Sequence, residues 1–540
     1  MQTSAMKAAF KLPSAVYLLQ MIQNNFFFQK TDTCLCFYNS EDAVMIIYVF
    51  YTFIKKIAMN LDSISFLLFL PLAFAIYWAI PTSCNKARNC VLIVLSYIFY
   101  GYADWRFCLL LLAVSLLTYA ASSVMYRWHG GRHAKSITIA HVTMCVVVLG
   151  VFKYFGFFAE QVIAICGRAD SLLVDNLLCR LIVPLGMSFY LFMAMSYVID
   201  RYRKVLDYNP CLLDFMSYIS FFPHLLAGPI DRGREMIPQF QKPRIFSYDK
   251  ATDGLRQIIC GLFKKVVIAD NAAIIVNHVW NDYSHSNSVV LVLAAVLYSI
   301  QIYADFSGYS DMAIGTGRLF GLEMRRNFAY PYFARNVSEF WRGWHMSLTS
   351  WFTEYLYIPL GGSRKGKTRT ILNTLIVFTL CGLWHGANWT FVVWGFLCGA
   401  LFIPLLLSER SKSYWKGKSV QLDARNLVSI LVTFLSITAC WIFFRAPSLG
   451  EALGYISSIG ANLHEPLALK ACFGNIFMKP LWALLLLLFV IVEWRGRNDT
   501  FPLASLRYKP MLVRWCSYLL LVLLIMCYNT VSGNFIYQNF

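Results

Sequence analysis

The chain has 540 residues, of which 58% are hydrophobic and only 14% charged, against roughly 25% charged in an ordinary soluble domain. That balance excludes an intrinsically disordered chain, which needs the reverse, and argues against a soluble enzyme of this size. The formal net charge of +19, from 47 Lys plus Arg against 28 Asp plus Glu, fits the cytoplasmic loops of a multi-pass membrane protein and, in part, attraction of an anionic donor or membrane lipid; nucleic-acid binding is not expected, because the basic residues sit in short loops between apolar runs.

Taken in chain order, residues 1–58 differ from the rest. They are mixed in polarity, with Lys7, Lys11 and Lys30 and a short apolar run at 44–54. Met59 opens a cleaner start before the run Ile64 to Ile80, so 1–58 reads as an N-terminal extension or a mis-called start, and as an extra helix in the rival reading. The run after Met59 has no A-x-A-like end, so no cleavable signal peptide is expected. A bilayer core of about 30 Å needs about 20 apolar residues in a helix. Candidate spans fall near 64–80, 90–119, 137–158, 182–199, 255–280, 288–304, 372–384, 387–407, 427–444, 480–494 and 513–528. The run 90–119 breaks into two helices if it turns at Gly101-Tyr102-Ala103-Asp104. The stretch 212–230 contains Pro223, Gly228 and Pro229 and reads as a broken or re-entrant helix buried in protein. The runs are continuous rather than alternating, which predicts helices and not a barrel. The expected class is all-α and polytopic, with about ten to thirteen membrane helices.

Two patterns are decoys. Gly361-Gly-Ser-Arg-Lys-Gly366-Lys367-Thr368 matches the phosphate-binding spacing GxxxxGK[ST], but that motif needs a strand before it, and Pro359 stands there among long apolar helices. The set Gly315, Gly317, Gly321 suits close helix packing rather than dinucleotide binding. The 16 cysteines are scattered. Cys34 and Cys36 fit no zinc spacing, and those in apolar runs, such as Cys90, Cys145, Cys260, Cys381, Cys398, Cys440 and Cys527, read as small apolar residues.

Ionisable groups at membrane depth are functional candidates by default. Of nine histidines, His129, His133, His278, His285 and His464 fall in polar loops or near helix ends, and His141 reads as interfacial. His224, His345 and His385 remain. His385 sits in Leu-Trp-His-Gly-Ala-Asn-Trp; in a helix it would share a face with Asn388 and Trp389, and a neutral imidazole there can act as a general base. His345 lies in a segment with aromatic residues at 341, 344, 351, 352 and 355, which suggests an amphipathic interfacial helix; packing and site roles are equally open for it. Asp305, Ser307, Ser310 and Asp311 form a polar patch in an apolar run. Two carboxylates there should line a cavity or pair with a cation, and Arg318, Arg325, Arg326 and Arg342 are the available partners.

Over roughly 59–540 the chain resembles the membrane-bound O-acyltransferase family, in particular the bacterial branch that includes the alginate O-acetylation membrane protein and the teichoic-acid D-alanyl transfer protein. The resemblance is carried by YADFSGYSDMAIGTGRLFG, by FAYPYFARNVSEFWRGWHMSLTSWFTEYLYIPLGG and by LCGLWHGANWTFVVWG, with support from GLFKKVVIAD and WIFFRA. One departure stands out: relatives often carry Ser-Phe-Phe-Thr-Phe-Gln where this chain has Ser188-Phe-Tyr-Leu-Phe-Met193, so contacts made by that Thr and Gln are missing.

The resemblance implies a ring of membrane helices around a central tunnel, comprising 59–540. It implies His385, in the Trp-His-Gly block, as the catalytic histidine and His345, in the Trp-His-x-Ser-Leu block, as the second. Trp384, Asn388, Asp305, Asp311 and Arg342 are supporting candidates, Asn388 or a backbone N–H as an oxyanion donor. No bound cofactor or metal is expected. Acetyl-CoA would be the cytoplasmic acyl donor, the acceptor an extracytoplasmic polysaccharide, the partner a secreted SGNH-type acetyltransferase, and the location the bacterial inner membrane. An acyl group could also rest on His385 or a hydroxyl before transfer. The alternatives are D-alanyl-type transfer within the same family, a donor transporter without chemistry, and a non-catalytic assembly subunit that would need neither histidine.

Overall fold

The computed structural model describes residues 59–128, 133–166, 183–408, 423–467 and 480–529; the 1–58 extension, with the question of its start, and His129 lie outside them. Every regular element among the described residues is helical, as a chain that satisfies its own backbone in lipid requires. Helix α1 (Ile64–Ala79) is opened by Ser63, whose hydroxyl accepts from the Phe66 amide. The run at 90–119 does break at Gly101–Asp104: α2 is Asn85–Gly101 and α3 is Trp105–Arg127. Asp104 makes the break by accepting from the Arg106 amide at the start of α3. Helix α4 (Ala134–Leu149) passes through a π-helical turn, Gly150–Tyr154, into α5 (Phe155–Cys166).

In α6 (Met187–Tyr202) the departing residues Leu191 and Met193 are buried in the core. The expected broken helix follows as α7 (Leu212–Ser220) and α8 (Phe222–Leu225), and Phe221, Phe222, His224 and Leu225 are wholly enclosed. Next come α9 (Gly233–Gln241), then α10 (Tyr248–Leu262), which runs through a second π-helical segment, Phe263–Ala269, into α11 (Asp270–Asn281). Helix α12 spans Ser288–Leu319. The short α13 (Val337–Gly343) and α14 (Met346–Phe352) lead through a third π turn, Thr353–Tyr357, to α15 (Lys367–His385). The remainder is α16 (Trp389–Ala400), α17 (Ile403–Leu407), α18 (Ala424–Arg445), α19 (Leu449–Ala461), α20 (Pro480–Arg495) and α21 (Met511–Tyr528). No strand precedes the glycines at 361–366, only the third π turn, so the phosphate-loop spacing has no phosphate-loop fold.

Among the described residues, six helical stretches are long and apolar enough to cross a bilayer by themselves: Trp105–Arg127, Ala134–Ala159, Ser288–Leu319, Trp389–Leu407, Ala424–Arg445 and Met511–Tyr528. Other apolar runs fold as shorter helices or are interrupted by π turns, such as Phe263–Ala269, and by prolines, such as Pro71 in α1. Helix α12 stands apart from the other five. Its apolar window is 72% buried, against 6–39% for theirs. It is therefore the central post, while the others turn residues such as Leu117, Leu431 and Leu520 outward, the apolar exterior that a bilayer covers.

Glycine sets how closely the post is approached. A Cβ on Gly308 would stand 2.7 Å from the Gly261 carbonyl oxygen and 3.1 Å from the Lys264 Cβ and the Lys265 amide. Gly315 likewise lets α10 pass, since its Cβ would stand 2.5 Å from the Gly254 carbonyl oxygen. Close packing is thus the role of Gly315, while Gly321, at φ +77°, serves a turn. Gly308→Val is expected to destabilise the fold by at least about 1–3 kcal/mol, the ordinary cost of overpacking. Thermal unfolding in detergent checks this, with Gly150→Ala as a control that should leave the melting point unchanged, because nothing lies within 4 Å of its added Cβ.

Two expectations need correction. His141 is not interfacial: it is buried between α3 and α4, its Nε2 2.9 Å from the Thr118 hydroxyl. That hydroxyl gives its own proton to the Val114 carbonyl, which leaves it free to accept from the ring. The cysteines divide: Cys145, Cys260, Cys381, Cys398 and Cys440 are buried, but Cys90 and Cys527 face outward.

Candidate active site

His385 is the last residue of α15 and is 2% exposed. The helix stops there because Gly386 turns to an extended backbone, φ −165°, and only glycine fits: a Cβ would collide with the Phe391 ring. The chain then reverses into α16. The shared helical face expected for His385, Asn388 and Trp389 therefore does not form. Asn388 caps α16, its Oδ1 accepting from the Thr390 amide at 3.0 Å while its Nδ2 donates to the Pro447 carbonyl at 2.8 Å. With its amide held in that cap, Asn388 is poorly placed to serve as an oxyanion donor.

The His385 imidazole is walled by aromatic edges: Trp384 at 4.9 Å and 76°, Trp394 at 5.2 Å and 88°, Phe444 at 5.4 Å and 73°. Such near-perpendicular contacts are the favoured ones. His345 lies across from it, ring centroids 6.4 Å apart, so the nearest ring atoms are about 4 Å apart at best, beyond direct hydrogen bonding. Trp384 fills the flank between the two, 6.1 Å from His345. Two side chains 40 residues apart thus share one buried, aromatic-walled pocket.

His345 does not sit on a continuous amphipathic helix. It occupies the corner between α13 and α14 with a left-handed backbone, φ 43° and ψ 54°, uncommon for a residue other than glycine. Trp341, Trp344, Trp351, Phe352 and Tyr355 are all buried, so the aromatic stripe packs the interior rather than the membrane surface, and the Phe306 ring of α12 stands 4.6 Å from that of His345. Asn327 pins the corner. Its carbonyl accepts from the Met346 amide at 2.8 Å, its Oδ1 accepts from the Ser347 hydroxyl at 2.8 Å, and its Nδ2 donates to the Ser310 hydroxyl of α12 at 3.1 Å. A strained backbone of this kind persists only where its surroundings over-determine it.

Asp305 and Asp311 are ion-paired, but not with the arginines that the sequence offered. Lys265 Nζ stands 2.9 Å from Asp305 and 2.7 Å from Asp270; Lys264 Nζ stands 3.0 Å from both Asp311 and Glu493. The missing side chain of Gly308, midway between the two aspartates, lets the 263–269 π segment lie against α12 there. Arg318 and Arg325 pair instead with Asp253 and Glu235, the guanidinium of Arg326 lies 4.9 Å from the Tyr330 ring centre, and Arg342 is half-buried on α13. An apolar cavity of about 240 Å³ opens nearby, lined by Ile300, Tyr303, Tyr332, Phe434 and Phe489 with Glu493. Tyr303 packs 6.2 Å from Trp344, the neighbour of His345.

Sequence reasoning missed Asn327, Lys264, Lys265, Lys153 and Tyr154. Lys153, and Lys264 and Lys265 within the block GLFKKVVIAD, did carry a usable signal, a cation inside an apolar run.

The sequence model of the membrane-bound O-acyltransferase family matches residues 94–410. A Pseudomonas putida protein described as a probable alginate O-acetylase, AlgI, is 36% identical over 386 residues, covering 71% of this chain and 76% of that one. A Helicobacter pylori peptidoglycan O-acetyltransferase is 32% identical over 424 residues, covering 73% and 78%. A teichoic acid D-alanyltransferase of Bacillus subtilis is 27% identical over 271 residues, covering 47% and 67%.

Proposed function

The chain belongs to the membrane-bound O-acyltransferase family, and from that premise we propose that this multi-pass membrane enzyme moves an acetyl group from a cytoplasmic thioester to an acceptor across the membrane, for O-acetylation of a polysaccharide. The observation that carries the reading is the pair of buried imidazoles, 6.4 Å apart within one aromatic wall. The names of the relatives, O-acetylases of alginate and of peptidoglycan, support acetyl and polysaccharide.

In this mechanism the acceptor hydroxyl lies between the two rings. His385 takes its proton as the oxygen attacks the thioester carbonyl, and the thiolate leaves toward the cytoplasm. General-base help of this kind contributes about 10²–10⁴-fold. His345 orients the hydroxyl or the carbonyl from the opposite side. The dry aromatic wall keeps water from competing for the acyl group. Since the Asn388 amide caps α16, oxyanion stabilisation falls to a backbone N–H. Acetyl-CoA is the proposed donor, a substrate rather than a resident cofactor. The exposed basic residues Arg364 and Lys365, in the loop before α15, and Lys367 and Arg369, in its first turn, suit its phosphates and a cytoplasmic orientation in a bacterial inner membrane. An SGNH-type extracytoplasmic partner would complete delivery to the polysaccharide.

The test is labelled acetyl-CoA supplied to inside-out membrane vesicles that retain their native carbohydrate. The expected product is alkali-labile label esterified to carbohydrate in the lumen. Label crossing without esterification would replace the enzyme reading by transport, and preference for a D-alanyl thioester would move the activity to the teichoic-acid type.

A further inference from the structure

The π-helical turn Gly150–Tyr154 places a lysine inside an otherwise apolar span, Ala134–Ala159, of which only 11% of the apolar window is buried. A cation there is expensive and calls for a partner. The partner is the end of α15. Lys153 Nζ donates to the backbone carbonyl of Trp384 at 2.5 Å, and the ammonium stands 5.5 Å from the centre of the Trp384 ring. The next residue, Tyr154, donates its hydroxyl to the Leu383 carbonyl at 2.8 Å. Leu383 and Trp384 are the two residues before His385.

The last four carbonyls of a helix have no partner within it, and a cation at that end gains from the helix dipole. Here two of those carbonyls are held by adjacent side chains from another span. Single π turns inside α-helices are frequent at functional sites, and this one carries both donors. On its other side the end of α15 is bounded by Gly386, where the chain reverses, and the His385 ring by Trp394 and Phe444. Within that aromatic wall, the backbone that carries the His385 ring is held from one side by the Gly386 reversal and from the other by this pair of hydrogen bonds.

We infer that Lys153 and Tyr154 are positioning residues: they clamp the last turn of α15 and hold His385 at its working distance from His345, an inference that rests on the role proposed above for His385. Lys153 acts through the peptide of Trp384 and not on the substrate. Its loss should lower turnover and leave donor binding alone.

The experiment uses the full chain in inside-out vesicles with acetyl-CoA as the probe, measuring thiol release as a function of acetyl-CoA concentration. Lys153→Met should lower kcat about 10–100-fold, the scale of a catalytic group misplaced by about 1 Å, with KM for acetyl-CoA within about twofold of the parent, the pattern of a loss confined to the transition state. Lys153→Arg, which keeps a cationic donor, should recover most of the rate, and Tyr154→Phe should lose a few-fold. Unchanged kcat in Lys153→Met, a raised KM with kcat intact, or Lys153→Arg no better than Lys153→Met would each overturn the inference. If Lys153→Met fails to accumulate, Tyr154→Phe decides alone, since it removes one oxygen and nothing else; unchanged turnover there overturns the clamp. His385→Ala in the same assay separates the two readings. Retained turnover sinks the catalytic role itself, whereas its loss beside a normal Lys153→Met sinks only the clamp.

Discussion

His385→Gln is expected to lower acyl transfer by about 10²–10⁴-fold, the range for removal of a general base, with the protein still folded. Glutamine is chosen because it roughly keeps the volume of the ring inside the wall of Trp384, Trp394 and Phe444; alanine would also leave a cavity, and cavities in a packed core cost stability of their own. The rate of label transfer per mole of membrane-inserted protein is the quantity to measure. A glutamine variant that transfers within about threefold of the parent would remove His385 from proton transfer, since even a weak general base contributes more than that. The second histidine needs a different substitution. Because His345 holds φ 43°, His345→Ala mixes loss of the imidazole with the strain of a left-handed alanine. Asparagine adopts that region more readily, so His345→Asn isolates the ring. A loss smaller than that of His385→Gln is expected if His345 orients and His385 takes the proton. Equal losses would mean that the two rings act as one unit, as catalytic groups often do.

Lys265→Met is expected to be the most damaging single change outside the pocket. The ammonium lies 2.7 Å from Asp270 and 2.9 Å from Asp305, and all three residues are buried. Removing one partner from a buried ion pair typically costs about 3–5 kcal/mol, because the remaining charge is left in a low dielectric. Here two carboxylates would be left facing each other. The variant should fail to appear as a monodisperse species in detergent. The triple variant Lys265→Met, Asp270→Asn, Asp305→Asn removes the cation together with its two ion-paired anions, leaving the neighbouring carboxylate of Asp62, and should recover much of the folded protein, since buried ion pairs are often replaceable by neutral groups. If Lys265→Met alone were as stable as the parent, the buried-pair account of this cluster would be wrong. Transfer by the recovered triple variant would further show that Asp305 holds the scaffold and takes no part in the chemistry.

These tests fall on residues of unequal visibility in the chain. His385 and His345 are legible because each lies in a short, chemically distinctive block, Trp-His-Gly and Trp-His-Met-Ser-Leu, and because an imidazole in an apolar run is conspicuous. The break at Asp104 is legible because capping is local: a carboxylate and an amide two residues on suffice. The buried, broken helix around Pro223 is legible for the same reason. The partners of Asp305 and Asp311 are not. Along one helix the spacing says which residues share a face, and nothing about which other segment will cross it. Arginines near in sequence were therefore the natural expectation, and the lysines 40 to 47 residues upstream were not.

By itself the sequence determined that this protein is helical and multi-pass, and left three histidines, His224, His345 and His385, of which the family resemblance singled out two, because apolar run length, helix capping and short blocks are all written within a few consecutive residues. Only the tertiary structure decided that His345 and His385 share one pocket, that His345 stands at a strained corner pinned by Asn327, that Asn388 is a cap, and that Lys153 reaches the end of α15. Each of these depends on where two distant segments approach, and that is settled by glycines such as Gly308 and Gly386 that remove a side chain at the point of crossing. Closeness of that kind is a property of packing, not of any stretch of chain read alone.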